Sequence, residues 1–184
     1  MLLWKRIDEL SVMRRLRLPK NATLEANGVS ITSAELSRAA SMSTRVVNVT
    51  TTPLAVTAAA HDSKIVTLNK ADGIAVTLPA ATGSGVKLQF IIGTTISSNG
   101  TTIKVADATD IMTGTALMAQ DSADTAVMFE TAADSDTITL NGSTTGGIKG
   151  DSVELIDIAT NLWWVRVVGS ATGSEATPFS ASVS

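Results

Sequence analysis

The sequence predicts an all-β protein whose body is preceded by an N-terminal extension. Val, Ile and Thr are frequent and aromatic residues make up only 3% of the chain, a composition that favours strands over helices. From Arg45 onward, apolar and polar residues alternate with the period of two that is typical of strands. Polar clusters rich in Gly, Asp, Asn and Ser separate the alternating runs and predict turns. Roughly eight to ten short strands of this kind indicate a β-sandwich, a jelly roll or a barrel.

The extension, residues 1–44, begins with a basic arm. Residues 1–20 hold six Lys or Arg side chains against two acidic ones, a net charge of +4, in a chain whose net charge is −3. Apolar residues recur in the arm at helical spacing. We expect the arm to dock on an acidic, partly apolar protein surface, and phosphate contacts with nucleic acid are the alternative. The residues expected to make these contacts are Leu3, Trp4, Ile7, Leu10, Arg14, Arg15 and Arg17.

A short helix is predicted near the end of the extension. Thr32 can accept a hydrogen bond at the start of the helix while Glu35, three residues later, reaches back to the Thr32 backbone. This is the capping-box pattern. We therefore predict a helix over about residues 33–40.

The body is predicted to span residues 45–170. Val66 and Leu68, then Ile74 and Val76, flank an Asp-Gly turn and predict a β-hairpin. Further alternating runs lie at residues 86–92, 103–105, 127–129, 138–140, 153–155 and 163–167. Residues 171–184 form a Ser/Thr-rich tail that we expect to lie over the surface or over a neighbouring subunit.

One loop of the body, "LPAATGSGVKLQF", has some features of a phosphate-binding loop. A Walker loop needs two glycines separated by four residues and then Lys followed by Ser or Thr. Here Gly83 and Gly85 are separated by one residue, Val86 precedes Lys87, and Leu88 stands where the hydroxyl is needed. The stretch is therefore interpreted as a connection between strands, with Lys87 facing outward.

The remaining polar residues give no catalytic or metal-binding pattern. His61 is the only histidine, and Asp62 beside it faces the opposite side of an extended chain. Acidic residues such as Asp107, Asp110 and Asp136 form no calcium-binding loop and are predicted to be solvated turn residues. The chain has no Cys, which excludes disulfides and thiolate ligands. We expect no enzyme activity, no cofactor and no metal.

Two adjacent tryptophans close the series of strands. Neighbouring residues of a strand face opposite sides, so we expect Trp163 in the core and Trp164 outside, on the same face as Arg166. Trp164 and Arg166 are the predicted subunit contact. No apolar run is long enough to cross a membrane, and the early charges leave no apolar stretch for a signal peptide.

Residues 72–114, residues 136–182 and the helical element "GVSITSAELSRAA" resemble the capsid decoration, or cement, proteins of tailed phages. Ser37 departs from the family element, which usually has Asn there. The resemblance implies a β-sandwich, often jelly-roll-like, that binds the outer capsid surface as a homotrimer. It also implies that the virion is assembled in the host cytoplasm. It implies contact with the major capsid protein and neighbouring trimers, and no direct contact with nucleic acid or membrane.

Three hypotheses about function follow. The first is a capsid decoration protein that stabilises contacts between capsomers. The second is a tail, fibre or surface adhesin subunit that binds host glycan through loops near Gly142 to Gly150. The third is a β-sandwich hydrolase that uses His61, which we rank last because no partner residues point to a reaction.

Overall fold

The computed structural model describes residues 23–26, 28–32, 35 and 45–183. The Cα positions divide the chain into two units, Met1–Ser43 and Thr44–Ser184. The predicted arm contacts, from Leu3 to Arg17, lie outside the described residues, as does all of the predicted helix at residues 33–40 except Glu35.

The described part of the first unit is a β-hairpin. Strands β1 (Thr23–Ala26) and β2 (Val29–Thr32) pair antiparallel, and Gly28 in the turn has φ +76. The strands were not predicted, although Asn-Gly between short alternating runs is a strong hairpin signal. The predicted capping box is confirmed. Thr32 donates its backbone N–H to Glu35 Oε2 at 2.7 Å, and Glu35 donates its own to Thr32 Oγ1 at 3.2 Å.

The second unit is nearly all β, which confirms the all-β prediction. Its elements in chain order are β3 (Val46–Val49), β4 (Leu54–Ala55), α1 (Ala58–His61), β5 (Ile65–Leu68), β6 (Ala75–Thr77), β7 (Lys87–Ile92), β8 (Thr101–Lys104), β9 (Ile111–Gln120), β10 (Ala126–Glu130), β11 (Thr137–Leu140), β12 (Ser152–Ala159), β13 (Leu162–Ala171) and β14 (Phe179–Ser180). No helix in the described part of the chain is long and apolar enough to cross a membrane.

These strands form two mixed sheets. The larger has seven strands in the order β10-β9-β13-β12-β7-β5-β3, and the smaller has five in the order β14-β11-β8-β6-β4. Hairpin-type neighbours such as β12 and β13 are antiparallel, whereas β9 and β13 run parallel over ten residues. Both sheets therefore contain crossovers between strands that are distant in sequence.

The predicted hairpin around Asp72-Gly73 is wrong. Gly73 does occupy a turn, with φ +80, but β5 before it pairs with β3 and β7 in the larger sheet. β6 after it pairs with β4 and β8 in the smaller sheet. The turn therefore carries the chain from one sheet to the other, because the inward-facing side chains of both strands are buried in the shared core.

The core contains the alternating apolar residues of both sheets. Val66, Leu88, Phe90, Ile103 and Trp163 are each 0% exposed, as the period of two predicts. Val86 and Phe129 are only partly buried against this core. The C-terminal residues also belong to the body, because β14 pairs with β11 and Phe179 packs into the core.

Candidate functional site

The glycine loop between β6 and β7 encloses a carboxylate of the protein itself. Asp157, at the end of β12, is 2% exposed. Its two oxygens accept the backbone N–H groups of Thr82 at 3.1 Å, Gly83 at 2.7 Å and Ser84 at 2.9 Å. They also accept the hydroxyls of Thr82 and Ser84, the latter at 2.6 Å. The loop amides that could cradle a phosphate therefore bind Asp157.

These hydrogen bonds fix Asp157 in its charged form. Burial by itself favours the neutral acid, but the donors from Ser84, Thr82 and Gly83 outweigh it and lower the pKa of Asp157 to about 2. The β12 backbone departs from regular pairing here, between Asp157 and Ala159. The loop contacts the backbone at this irregularity as well, because Gly85 donates its N–H to the Asp157 carbonyl at 2.9 Å.

Three more aspartates are buried next to strand ends, and each accepts backbone N–H groups. Asp136 accepts those of Ser182 at 2.7 Å and Val183 at 3.0 Å, and so binds the C-terminal residues. Asp151 accepts those of Gly147 and Ile148 at 2.8 and 3.0 Å and, from β13, that of Ser170 at 3.0 Å. Asp110 accepts that of Ala81 at 3.0 Å. The prediction that Asp110 and Asp136 are solvated turn residues is therefore wrong.

The pKa values of these three aspartates move in different directions. Burial raises the pKa of Asp151 in spite of its three backbone donors. Burial also raises the pKa of Asp110, with a smaller contribution from the nearby charges of Asp107 and Asp157. For Asp136, burial is opposed by the donors of Ser182, Thr137 and Val183, and the net effect is a lowered pKa.

The side of the seven-stranded sheet that faces away from the core, called the outer face below, carries a charged cluster at its centre. Glu154 Oε1 lies 2.6 Å from Lys87 Nζ, and Glu154 Oε2 lies 2.7 Å from an Arg166 guanidinium nitrogen. Hydrogen bonding to Lys87 chiefly lowers the pKa of Glu154. Arg166 also lies over the Trp164 ring, 5.9 Å from its centroid. The predicted placement of Trp163 inside and Trp164 with Arg166 outside is confirmed.

A row of residues crosses the outer face from one edge strand to the other. Directly paired residues of neighbouring strands lie on the same face, and successive pairs join Asn48, Thr67, Ile91, Ser152, Val168, Leu117 and Met128. The last three are large apolar residues and remain 44%, 42% and 63% exposed. Val46 and Ile65, also exposed, pair in the adjacent row. The outer face is therefore more apolar than a fully solvated face.

His61 has a structural position. It is buried at the end of α1, and its Nδ1 lies 3.1 Å from both the backbone nitrogen and the carbonyl oxygen of Thr57. Asp62 instead accepts the backbone N–H of Lys87 at 3.1 Å. Among the described residues, no group of three or more His, Cys, Asp or Glu side chains is arranged to hold a metal ion.

A polar cleft of about 350 Å³ lies beside the turn at Gly73, where β6 and β8 of the five-stranded sheet begin. Lys70 Nζ is 2.7 Å from Asp72 Oδ2 there, and this pairing chiefly lowers the pKa of Asp72. Thr52, Asn99 and Thr102 supply further hydroxyl and amide groups to the lining. The arrangement can offer hydrogen bonds to a small polar ligand.

The sequence pattern predicts the outward pair Trp164 and Arg166, but it does not predict that Glu154 pairs with both Arg166 and Lys87. Asp157 was not predicted either. It follows Val153 and Leu155 on the inward side of the strand pattern, where an apolar residue is expected, and this departure is the signal that could have identified it. Comparison with protein-family models, with curated protein sequences and with solved structures finds no match to this chain.

Proposed function

We propose that this protein is a viral structural protein, a capsid decoration protein that binds the outer capsid surface of a tailed phage as a homotrimer and stabilises the contacts between capsomers. The resemblance of the body sequence to such proteins supports the proposal. So does one structural observation, the broad outer face with its exposed apolar residues, because large exposed apolar surfaces are typical of protein contacts. We propose that the finer architecture is a β-sandwich of jelly-roll type.

The proposed roles divide between the two units. The basic arm, residues 1–20, binds the major capsid protein or a neighbouring trimer, with its arginines paired to acidic groups. Trp164 and Arg166 contribute to the contact between copies. The loops of the body are held by buried aspartates such as Asp157, which suits a protein that must keep one shape on a shell. In this proposal the protein has no catalytic function.

The capsid contact is tested by removing the arm. The chain lacking residues 1–20, and a variant with Arg14→Glu, Arg15→Glu and Arg17→Glu, are mixed with undecorated capsids of the encoding phage, and the bound protein is measured by sedimentation. We expect both to lose binding while their circular dichroism stays that of a folded β protein. Lys149→Glu, which changes an exposed basic residue of the body, is the matched control and should bind normally. Normal occupancy by the truncated chain would show that the arm is not the contact.

The alternative is a tail, fibre or surface adhesin subunit that binds host glycan, and the polar cleft favours it. Lys70, Asp72 and Asn99 together offer donors and acceptors of the kind that sugar hydroxyls use. A glycan array probed with the whole protein tests this function. Arg45→Ala, at an exposed basic position outside the cleft and outside the loops near Gly142 to Gly150, is the control. Binding that Lys70→Ala abolishes and Arg45→Ala preserves would support the adhesin, whereas an array without any bound glycan would exclude it.

A further inference from the structure

The outer face of the seven-stranded sheet lacks a partner in the described part of the chain. The inner face packs on the five-stranded sheet, and nothing described covers the outer one. In a two-layer protein, outward positions of a strand are expected to be polar. Here Leu117, Val168 and Met128 lie side by side across β9, β13 and β10 and remain 42%, 44% and 63% exposed.

The charges of the outer face indicate what covers it. Residues 45–183 contain seven basic and thirteen acidic residues, a net charge of −6. On the strands of the outer face the charged residues are two basic, Lys87 and Arg166, and two acidic, Glu130 and Glu154, so this face is neutral. Two copies with the same net charge repel each other elsewhere, and a neutral face lets them approach. A nucleic acid or an anionic membrane would instead require an excess of basic residues.

The size of the outer face also fits an interface between copies. The seven strands lie about 4.8 Å apart and hold 47 residues in all, each advancing about 3.3 Å along its strand. The product of these three quantities is of the order of the 800 Å² per partner that a stable interface buries. The apolar row lies next to the Glu154 ion pairs, so the face combines an apolar strip with charges that are already partnered.

We propose that a second copy of this chain covers the outer face and that Leu117, Val168 and Met128 form the apolar centre of the contact. The expectation of three copies in the assembly rests on the proposed function. Trp164 and Arg166 lie on the same face beside this strip. The ion pairs of the Lys87–Glu154–Arg166 cluster form within each copy, so the cluster brings no unpaired carboxylate to the contact.

The association is tested on the purified full chain without capsids, by analytical ultracentrifugation. We expect the wild-type chain to sediment as an assembly and the double variant Leu117→Lys, Val168→Lys to fall to the monomer mass of 19.0 kDa. Thr77→Lys, at an exposed position of the five-stranded sheet, is the matched control and should stay assembled. Leu117→Ser with Val168→Thr is the milder pair if the lysines prevent folding. A monomeric wild-type chain, or an assembly that both double variants preserve, would overturn the proposal.

A chemical probe separates the second copy from other occupants. Because the chain has no Cys, Val168→Cys introduces a unique thiol whose reaction with a maleimide reports on burial, and Thr77→Cys is the control. We expect the Cys at position 168 to react several-fold more slowly than the control in the assembly, and equally fast after dilution to monomers. If the Cys at position 168 reacts slowly even in the monomer, and reacts fast once residues 1–20 are deleted, the arm covers the face and the proposal is contradicted. Capsid binding is measured separately, so its failure does not affect this result.

Discussion

At the scale of single residues, the body depends on carboxylates that are out of contact with water. Asp157, Asp151, Asp136 and Asp110 are each at most 5% exposed, and all of them accept backbone N–H groups of loops or strand ends. The backbone N–H groups of these loops would otherwise need water as their hydrogen-bond acceptor, and the carboxylates instead bind them to the body. Hydrogen bonds to a charged acceptor are roughly twice as strong as neutral ones. These four side chains therefore hold the loops and strand ends in place, as the apolar core holds the two sheets together.

Replacing Asp157 by Asn is expected to destabilise the body. An amide keeps only one acceptor oxygen and turns its NH₂ group toward the donors of either Gly83 or Ser84, which leaves buried groups unsatisfied. We expect the free energy of unfolding to fall by about 2–4 kcal/mol, as measured by urea denaturation. Asp124→Asn, at an exposed position in the turn between β9 and β10, should change it by less than about 0.5 kcal/mol. An Asp157→Asn protein as stable as the wild type would contradict the role given to the loop.

The same carboxylate predicts an acid-sensitive part of the stability. The folded pKa of Asp157 is about 2, below the ordinary value of 3.8. Its stabilisation is therefore fully present above the unfolded pKa and is lost as the pH falls from about 5 toward 2, by roughly 2 kcal/mol in total. Asp136 acts in the same direction, and Asp110 and Asp151, whose pKa values are raised, act in the opposite one.

Because of these opposing groups, the informative quantity is the difference in unfolding free energy between wild type and Asp157→Asn, measured from pH 6 to pH 2. We expect this difference to shrink as the pH falls. A difference that is constant over the whole range would show that Asp157 does not titrate in this window.

At the scale of elements, the turn at Gly73 shows how a correct local signal can lead to a wrong pairing. The Asp-Gly pair does form a turn, yet its flanking strands lie in different sheets. Gly73 packs so closely on the neighbouring turn that an added Cβ would lie 1.8 Å from the Gly100 carbonyl oxygen. Turn chemistry fixes the direction of the backbone, and the pairing of the strands is decided by what each one buries.

Gly73→Ala is expected to be strongly destabilising, because it combines a positive φ with a steric overlap against backbone. We expect a loss of more than about 3 kcal/mol in the free energy of unfolding. Gly173→Ala is the matched control, since Gly173 has φ +76 but open space around its Cα, and should cost only about 1 kcal/mol. Equal losses at both positions, measured by thermal or urea denaturation, would mean that the close approach to Gly100 is unimportant.

At the scale of the whole molecule, the second unit contains its own core. The buried apolar residues run from Val49 to Phe179 and come from both sheets. The body is also the site of all four buried aspartates. The buried apolar residues and the four aspartates named above all lie within residues 45–183.

The fragment 45–184 is therefore expected to fold by itself. Its free energy of unfolding should lie within about 1 kcal/mol of that of the full chain, the size expected for a truncation that keeps the core described above. Urea denaturation followed by the fluorescence of the buried Trp163 measures it. An unfolded fragment would mean that the first unit supplies essential contacts to the body.

Much of the fold could be predicted from the sequence, because burial on one side of a strand imposes a period of two. The alternation around Leu88 and Phe90, the separation of Trp163 from Trp164 and the Thr32–Glu35 capping box are local patterns of this kind. The sequence alone likewise determined the all-β class and the contrast between a basic arm and an acidic body. Each of these depends on residues that are close together in the chain.

The tertiary structure alone decided what depends on residues far apart in the chain. The parallel pairing of β9 with β13, the transfer of the chain between sheets at Gly73, and the capture of the glycine loop by Asp157, 73 to 75 residues away, belong to this class. No local pattern specifies such partners, because the free energy of each pairing comes from burying the two distant segments together in one core. For the same reason, the sequence identifies the glycine loop only as a connection between strands, and the fold shows that its amides bind the protein's own carboxylate.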